Sequence, residues 1–149
     1  MNIQKNQEFE VEIIDNGYEG EGIAKIDNFT IFIKGAIKGE RCRIVIVKVN
    51  KSFAFGKLLE VLRSSEYRVN TDCTTYKRCG GCSLRHIKYE ETLKIKKDMV
   101  QNLVNKTLKN KIIVNDVIGM DNPYNYRNKL QYPVGRDKNE IPVMGVFAN

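Results

Sequence analysis

The 149-residue sequence contains no run of about 20 apolar residues, so nothing in it reads as a membrane span. Its opening residues, Met1-Asn2-Ile3-Gln4-Lys5-Asn6, lack the apolar stretch of roughly 7–15 residues that a secretory signal needs, and a cytoplasmic location is expected. Disulfides are then not expected, because that compartment keeps thiols reduced. The single histidine, His86, has no carboxylate partner visible in the sequence, which argues against hydrolytic or triad chemistry. It can act as a metal ligand or an acid–base group, but a structural or ligand-contacting role is favoured. Internal repeats and low-complexity segments are absent. With 42% hydrophobic and 29% charged residues, the chain is neither disordered by composition nor membrane-embedded, and its length suits one large or two small domains.

What is present in excess is positive charge, and it is concentrated. Residues 1–62 carry nine basic and nine acidic side chains, and residues 112–149 carry four of each. Residues 63–111 hold twelve basic against five acidic groups, which accounts for the whole net charge of +7. A basic stretch of this kind is the footprint of a polyanion partner, or else a solvated lysine-rich helix face.

The hydrophobic pattern changes along the chain. Residues 8–14 alternate, with Phe9, Val11 and Ile13 opposite Glu8, Glu10 and Glu12, which is the period of a half-buried strand. Ile23–Ile26 and Phe29–Ile33 follow as short strands around an Asp27-Asn28 hairpin turn, then Arg41–Val49 and Phe53–Leu62. Five short strands in some 60 residues predict a small closed barrel of the OB type over 1–64. Beyond Ser64-Ser65 the sequence is irregular and polar to residue 85. Glu90–Leu108 then reads as a helix with Leu93, Val100, Leu103, Val104 and Leu108 on one face, leaving Lys94, Lys96 and Lys97 largely off it. Residues 112–118 resemble a strand, and Leu130–Val134 with Ile141–Phe147 a hairpin. The predicted fold class is therefore mainly β with one helix: a five-stranded barrel, a cysteine loop, the helix and the start of a β-rich α+β domain within 65–149.

The strongest chemical signal is Cys73-x5-Cys79-Gly80-Gly81-Cys82. Two residues between Cys79 and Cys82 let both thiolates reach one metal centre, and the glycines ease the tight backbone around it. Zinc sites usually arrive as two pairs, whereas a trio suits an iron–sulfur cluster, so the cluster is favoured. Cys42 shares a strand face with Ile44 and Ile46 and is expected in the core. For nucleic-acid contact, Lys48, Lys51 and Lys57 lie near Tyr18, Phe53 and Phe55, although the two phenylalanines, two apart on one strand face, serve equally well as core.

These residues carry a resemblance. Gly17-x-x-Gly20-Glu21-Gly22-Ile23-Ala24 and Gly35-Ala36-Ile37-x-Gly39-Glu40, with the fifth strand, resemble a TRAM domain, an RNA-binding barrel. The stretch CTTYKRCGGCSLRHIKYEETLKIKK, Cys73 to Lys97, resembles the cluster region of bacterial RNA (uracil-5-)-methyltransferases of the 23S ribosomal RNA type. Tyr126-Arg127-Asn128-Lys129 is similar to the start of that family's central RNA-binding domain. The resemblance implies that Cys73, Cys79 and Cys82, with a cysteine further along, bind a 4Fe-4S cluster. It also implies that a separate C-terminal domain binds S-adenosylmethionine and supplies a nucleophilic cysteine. No cysteine follows Cys82, and Gly17-x-x-Gly20-x-Gly22 is followed by a strand rather than a helix, so no catalytic or cofactor-binding residue is assigned here.

The expectation is an N-terminal portion of a longer enzyme, inactive alone, monomeric and not retaining its cluster. It would grip RNA, ribosomal by resemblance, through Lys48, Lys51, Lys57, Arg78, Arg85, Lys94, Lys96, Lys97, Arg127 and Lys129. The competing readings are a complete non-catalytic RNA-binding protein with a zinc-stabilised cysteine module, in which His86 would be the fourth ligand, and a small iron–sulfur electron carrier.

Overall fold

A computed structural model describes residues 3–108 and 112–147. Six strands occupy the first half: β1 (Glu8–Glu12), β2 (Asp15–Asn16), β3 (Gly22–Ile26), β4 (Phe29–Lys34), β5 (Arg41–Val49) and β6 (Phe53–Arg63). They form one sheet in the order β1-β5-β6-β4-β3-β2, antiparallel except for β4 against β6. The expected first strand is split into β1 and β2 by a bend at Ile13-Ile14. There the Ile13 N–H donates to the Glu40 carbonyl at 2.9 Å and the Ile14 N–H to the Ile23 carbonyl at 2.8 Å. Consecutive N–H groups thus serve opposite edges of the sheet and close it into the OB-like barrel. The β3–β4 hairpin turns at Asp27 and Asn28, both at positive φ (47° and 65°), as a two-residue turn matched to strand twist requires.

The barrel core follows the two-residue period. Val11, Ile13, Ala24, Ile31, Ile33, Cys42, Ile44, Ile46 and Ala54 point inward and are buried. A β-carbon at Gly56 would lie 3.0 Å from Ile44 Cδ1 and 3.3 Å from Ile31 and Ile33 side-chain atoms, so glycine there leaves room for three isoleucines. With Ala54 and Gly56 inward, Phe53 and Phe55 point outward, which decides against their serving as barrel core.

After the barrel, residues 64–88 form turns tied by Val69 N–H to the His86 carbonyl (3.0 Å) and Lys88 N–H to the Tyr67 carbonyl (2.8 Å). Helix α1 then runs Tyr89–Thr107, with Glu90 and Glu91 in its first turn and Lys106 in its last, charges that complement the helix dipole. Its buried residues are Thr92 and Ile95, not the expected Leu93, Val100, Leu103, Val104 and Leu108 face. Ile95 joins Ile37 and Ile87 in a second core flanked by Tyr67, Leu84 and Met99. Ile37 belongs to the β4–β5 loop, so the barrel itself presents the surface on which the helix packs. Val100 and Leu103 stay about half exposed, at 50% and 54%.

The expected strand at 112–118 forms no ladder among the described residues. The segment instead lies along the Tyr89, Leu93, Lys97, Gln101 ridge of α1, one residue every helical turn. Gln101 donates to the Ile112 carbonyl (2.8 Å) and accepts from the Val114 N–H (2.8 Å). Lys97 Nζ donates to Asp116 (2.7 Å), and the Met120 N–H donates to the Tyr89 hydroxyl (2.8 Å). Helix side chains thus take up two backbone groups of residues 112–118 that a neighbouring strand would pair. The final hairpin is shorter and shifted: β7 (Val134–Arg136) pairs with β8 (Pro142–Met144). The Asp137 carboxylate accepts the Asn139 and Ile141 N–H groups and brings the turn up against Arg136. No helix among the described residues is long and apolar enough to cross a membrane.

Candidate nucleic-acid interface and cysteine loop

The arginines of β5 and β6 are each neutralised by a glutamate, Arg41 by Glu10 (2.8 Å), Arg63 by Glu12 (3.1 Å) and Arg43 by Glu60 (2.7 Å). Lys25, Lys48 and Lys57, on β3, β5 and β6, and Lys51, in the β5–β6 turn, are exposed and have no ion pair among the described residues. Strand register sets Lys48 opposite Phe55 and Lys25 opposite Thr30, itself opposite Phe53. Unpaired ammonium groups beside aromatic rings can hold a polyanion that also offers flat apolar surfaces. Tyr18, 55% exposed in the β2–β3 loop, lies outside this register.

The cations of the basic middle segment separate into two groups. Arg78 and Lys96 are exposed and unpaired among the described residues, as are Arg127 and Lys129 beyond it. Arg85 donates twice to Asp72 Oδ1 (2.9 and 2.7 Å) and lies over the Tyr124 ring at 5.9 Å. Lys94 pairs with Glu91 (3.1 Å) and sits 4.9 Å from the Tyr67 ring centroid, while Lys97 is tied to Asp116. Lys94 and Lys97 are therefore not the free phosphate-facing pair expected from helical periodicity alone. Lys109 and Lys111 lie outside the described residues.

Cys73, Cys79 and Cys82 lie on one loop, the first two half-buried and the third exposed. The Gly81 N–H points at Cys79 Sγ (3.4 Å), and Cys73 Sγ is 3.3 Å from the Thr75 hydroxyl. Contacts with that hydroxyl and with the Thr75 N–H hold the Cys73 thiol below its ordinary pKa. This donor chemistry suits a thiolate-bound centre, although no three His, Cys, Asp or Glu side chains converge as a metal site among the described residues. Burial, and then the charge of Glu40, push the Cys42 thiol up to about 11; at 0% exposure inside the barrel it is core, as its strand position indicates. His86 is 3% exposed with Nδ1 2.6 Å from the Tyr76 hydroxyl and stands in no ligating group with the cysteines.

Sequence reasoning missed the junction between barrel and loop. Glu40, 0% exposed, accepts from Arg68 Nε (2.6 Å) and Nη2 (2.7 Å) and from the Ile37 N–H (2.9 Å) and Ser65 N–H (3.2 Å). Burial raises its pKa, but the Arg68 hydrogen bonds, the two N–H groups and the Arg68 charge together leave it below the ordinary carboxylate value. Arg68 also donates to the Gly35 carbonyl (2.7 Å), fastening the start of the cysteine segment to both ends of the β4–β5 loop. No periodicity marks such a pair; the only sequence hint is an acid directly after a loop glycine. Phe32 was missed too, although Ile31 and Ile33 inward imply it outward.

Known proteins match the barrel residues and, by sequence, nearly the whole chain. Residues 3–59 match the TRAM domain. Over 95% of its length the chain is 47% identical to an uncharacterized RNA methyltransferase of Clostridium acetobutylicum, of which it covers 31%. It is 43% identical to a Clostridium tetani protein of the same description over 98% of the chain and 32% of that protein. A Staphylococcus aureus protein of that description is 42% identical over 97% of the chain and 32% of its own length. A solved conserved protein of Methanococcus maripaludis is 36% identical, covering 39% of this chain and 83% of that one, with a TM-score of 0.38. Residues 3–59 are a TRAM domain, and the chain that carries it is a relative of proteins named RNA methyltransferases, of whose length it spans about one third.

Proposed function

We propose that this chain is the RNA-gripping part of an S-adenosylmethionine-dependent RNA uridine C5-methyltransferase acting in the cytoplasm on 23S ribosomal RNA. The observation that carries the reading is similarity, over 95% of this chain and 31% of the relative, to a protein named an RNA methyltransferase, joined to the Cys73, Cys79, Cys82 spacing. The unpaired cations of the barrel and of the cysteine segment support it, since phosphate neutralisation supplies most sequence-independent affinity for RNA. C5 of a uridine is reached only when the base leaves its stack, at a cost of a few kcal/mol that contacts elsewhere on the RNA must offset. Lys48, Lys51, Lys57, Arg78, Lys96, Arg127 and Lys129 would make those contacts. Arg85, Lys94 and Lys97 would do so only by exchanging carboxylate partners for phosphate.

Cys73, Cys79 and Cys82 would hold a 4Fe-4S cluster, with S-adenosylmethionine bound outside these 149 residues. When bound, such a cluster supplies a compact cross-link through three thiolates of one loop. The loop's own residues do the orienting. Leu84 and Ile87 pack it against the barrel and helix, and Arg68 locks its base to Glu40.

Disrupting the gene and measuring modified nucleosides in purified 23S ribosomal RNA by mass spectrometry tests the reading. Loss of 5-methyluridine at one position, restored by the gene, is expected. Unchanged 5-methyluridine at every position would overturn the assignment, and loss from transfer RNA instead would correct the substrate.

A further inference from the structure

Three phenylalanines cluster on the outward face of β4 and β6. Phe32 and Phe53 have ring centroids 5.6 Å apart and planes at 80°, while Phe53 and Phe55 are 5.5 Å apart at 89°. Phe32 and Phe55 are 6.1 Å apart, inclined by 40°. Phe53, nearly perpendicular to both neighbours, braces them, and Phe55 is 39% exposed. The alternation of β6 makes this placement obligatory, because shifting the register by one would drive Phe53 and Phe55 into space closed by Ile31, Ile33 and Ile44.

We infer that this cluster is a stacking platform for single-stranded RNA, with Phe55 as the ring that receives a base, Phe32 as a second contact and Phe53 as their support. The inference rests on the RNA-binding reading and names the face that does the binding. Charge selects this occupant over an apolar protein partner. Register sets Ile23, Phe32, Phe55 and Lys48 in one row across β3, β4, β6 and β5, with Lys25 in the next row and Lys57 two residues along from Phe55. Those lysines lack acidic partners among the described residues, whereas the remaining cations of β5 and β6, Arg41, Arg43 and Arg63, are each paired with a glutamate. Rings for bases and unpaired ammonium groups for the backbone are the two components of sequence-tolerant single-strand binding. A duplex hides its base faces and would use the lysines only.

The test is equilibrium binding of the chain to a fluorescently labelled single-stranded RNA and to the same sequence as duplex, over a range of salt. Phe55→Ala should weaken single-strand binding five-fold or more at every salt concentration, without changing the salt slope, because stacking releases no counterions. Phe55→Tyr, which keeps the ring, should retain affinity, and Phe55→Leu, apolar but without a π face, should lose it. Circular dichroism confirms that the variants fold. Wild-type binding that Phe55→Ala leaves unchanged overturns the platform and spares the RNA reading, as does equal sensitivity of duplex binding to Phe55→Ala. No RNA binding by the unsubstituted chain overturns both.

Discussion

Arg68 and Glu40 meet in a buried two-point ion pair, Nε to Oε1 at 2.6 Å and Nη2 to Oε2 at 2.7 Å, that joins the end of the barrel's β4–β5 loop to the start of the cysteine segment. Glu40 is wholly buried and the Arg68 side chain 22% exposed, so the carboxylate has been moved out of water and given a full set of donors instead. Removing one partner leaves a buried charge unmatched.

Arg68→Ala is therefore expected to lower unfolding free energy by about 3–5 kcal/mol. Arg68→Lys should lie between, since an ammonium cannot donate in the same forked geometry. Urea denaturation measures both. A loss below about 1 kcal/mol for Arg68→Ala would show that water reaches Glu40 without cost.

His86 gives the chain a pH dependence of definite sign. Burial first, then the Arg68 charge, lower its pKa from 6.5 to about 4 against an opposing contribution from Glu40. The unfolded chain binds the proton near 6.5 while the folded one resists it. Stability from this group is complete above 6.5 and is lost as pH falls toward 4, on the order of 3 kcal/mol at about 1.4 kcal/mol per pH unit. Chemical denaturation at several pH values should show that slope, and a His86→Phe variant should flatten it. An equal slope in the variant would assign the acid sensitivity to other groups.

Gly20 sits at φ +84° in the β2–β3 loop, and a β-carbon there would collide with Leu84 Cδ2 of the cysteine segment. Gly20→Ala should cost about 1–2 kcal/mol for the left-handed backbone. It should also displace Leu84, raising hydrogen exchange at residues 82–87. Exchange there identical to wild type would mean that Leu84 does not seal this junction.

The strands were legible because they obey a two-residue period, and the irregular segment that carries the three cysteines because it obeys none. Contacts made by irregular backbone were not legible. The helix was placed within a residue at each end, but its buried side was misassigned, since Leu93 and Thr92 are equally good candidates until Ile37 of a distant loop is known to pack on Ile95. Residues 112–118 have strand composition, yet Gln101, a polar side chain with no pattern to announce it, takes the place of a neighbouring strand. Glu40 and Arg68, 28 residues apart, could be paired only in three dimensions.

Iron content tests the cysteine loop. Cys73, Cys79 and Cys82 can each serve one iron of a four-iron cube, and Cys42 is held in the barrel with its thiol protonated. Protein of these 149 residues prepared in air is expected to hold well under four irons and four sulfides per chain. Close to four of each would contradict this, and loss of that iron in Cys42→Ala would locate the fourth ligand.

If this chain grips RNA through the cations its fold leaves unpaired, its affinity for a single-stranded RNA must depend on salt through those cations. Replacing Lys48, Lys51 and Lys57 together by alanine should reduce the slope of log affinity against log salt by about two, at about 0.7 per phosphate contact. Replacing Lys94, Lys96 and Lys97 should reduce it by only about 0.7 by the same measure, because Lys94 and Lys97 already hold Glu91 and Asp116. Wild-type affinity that does not fall with salt, or a larger effect from the helix lysines than from the barrel lysines, would contradict it.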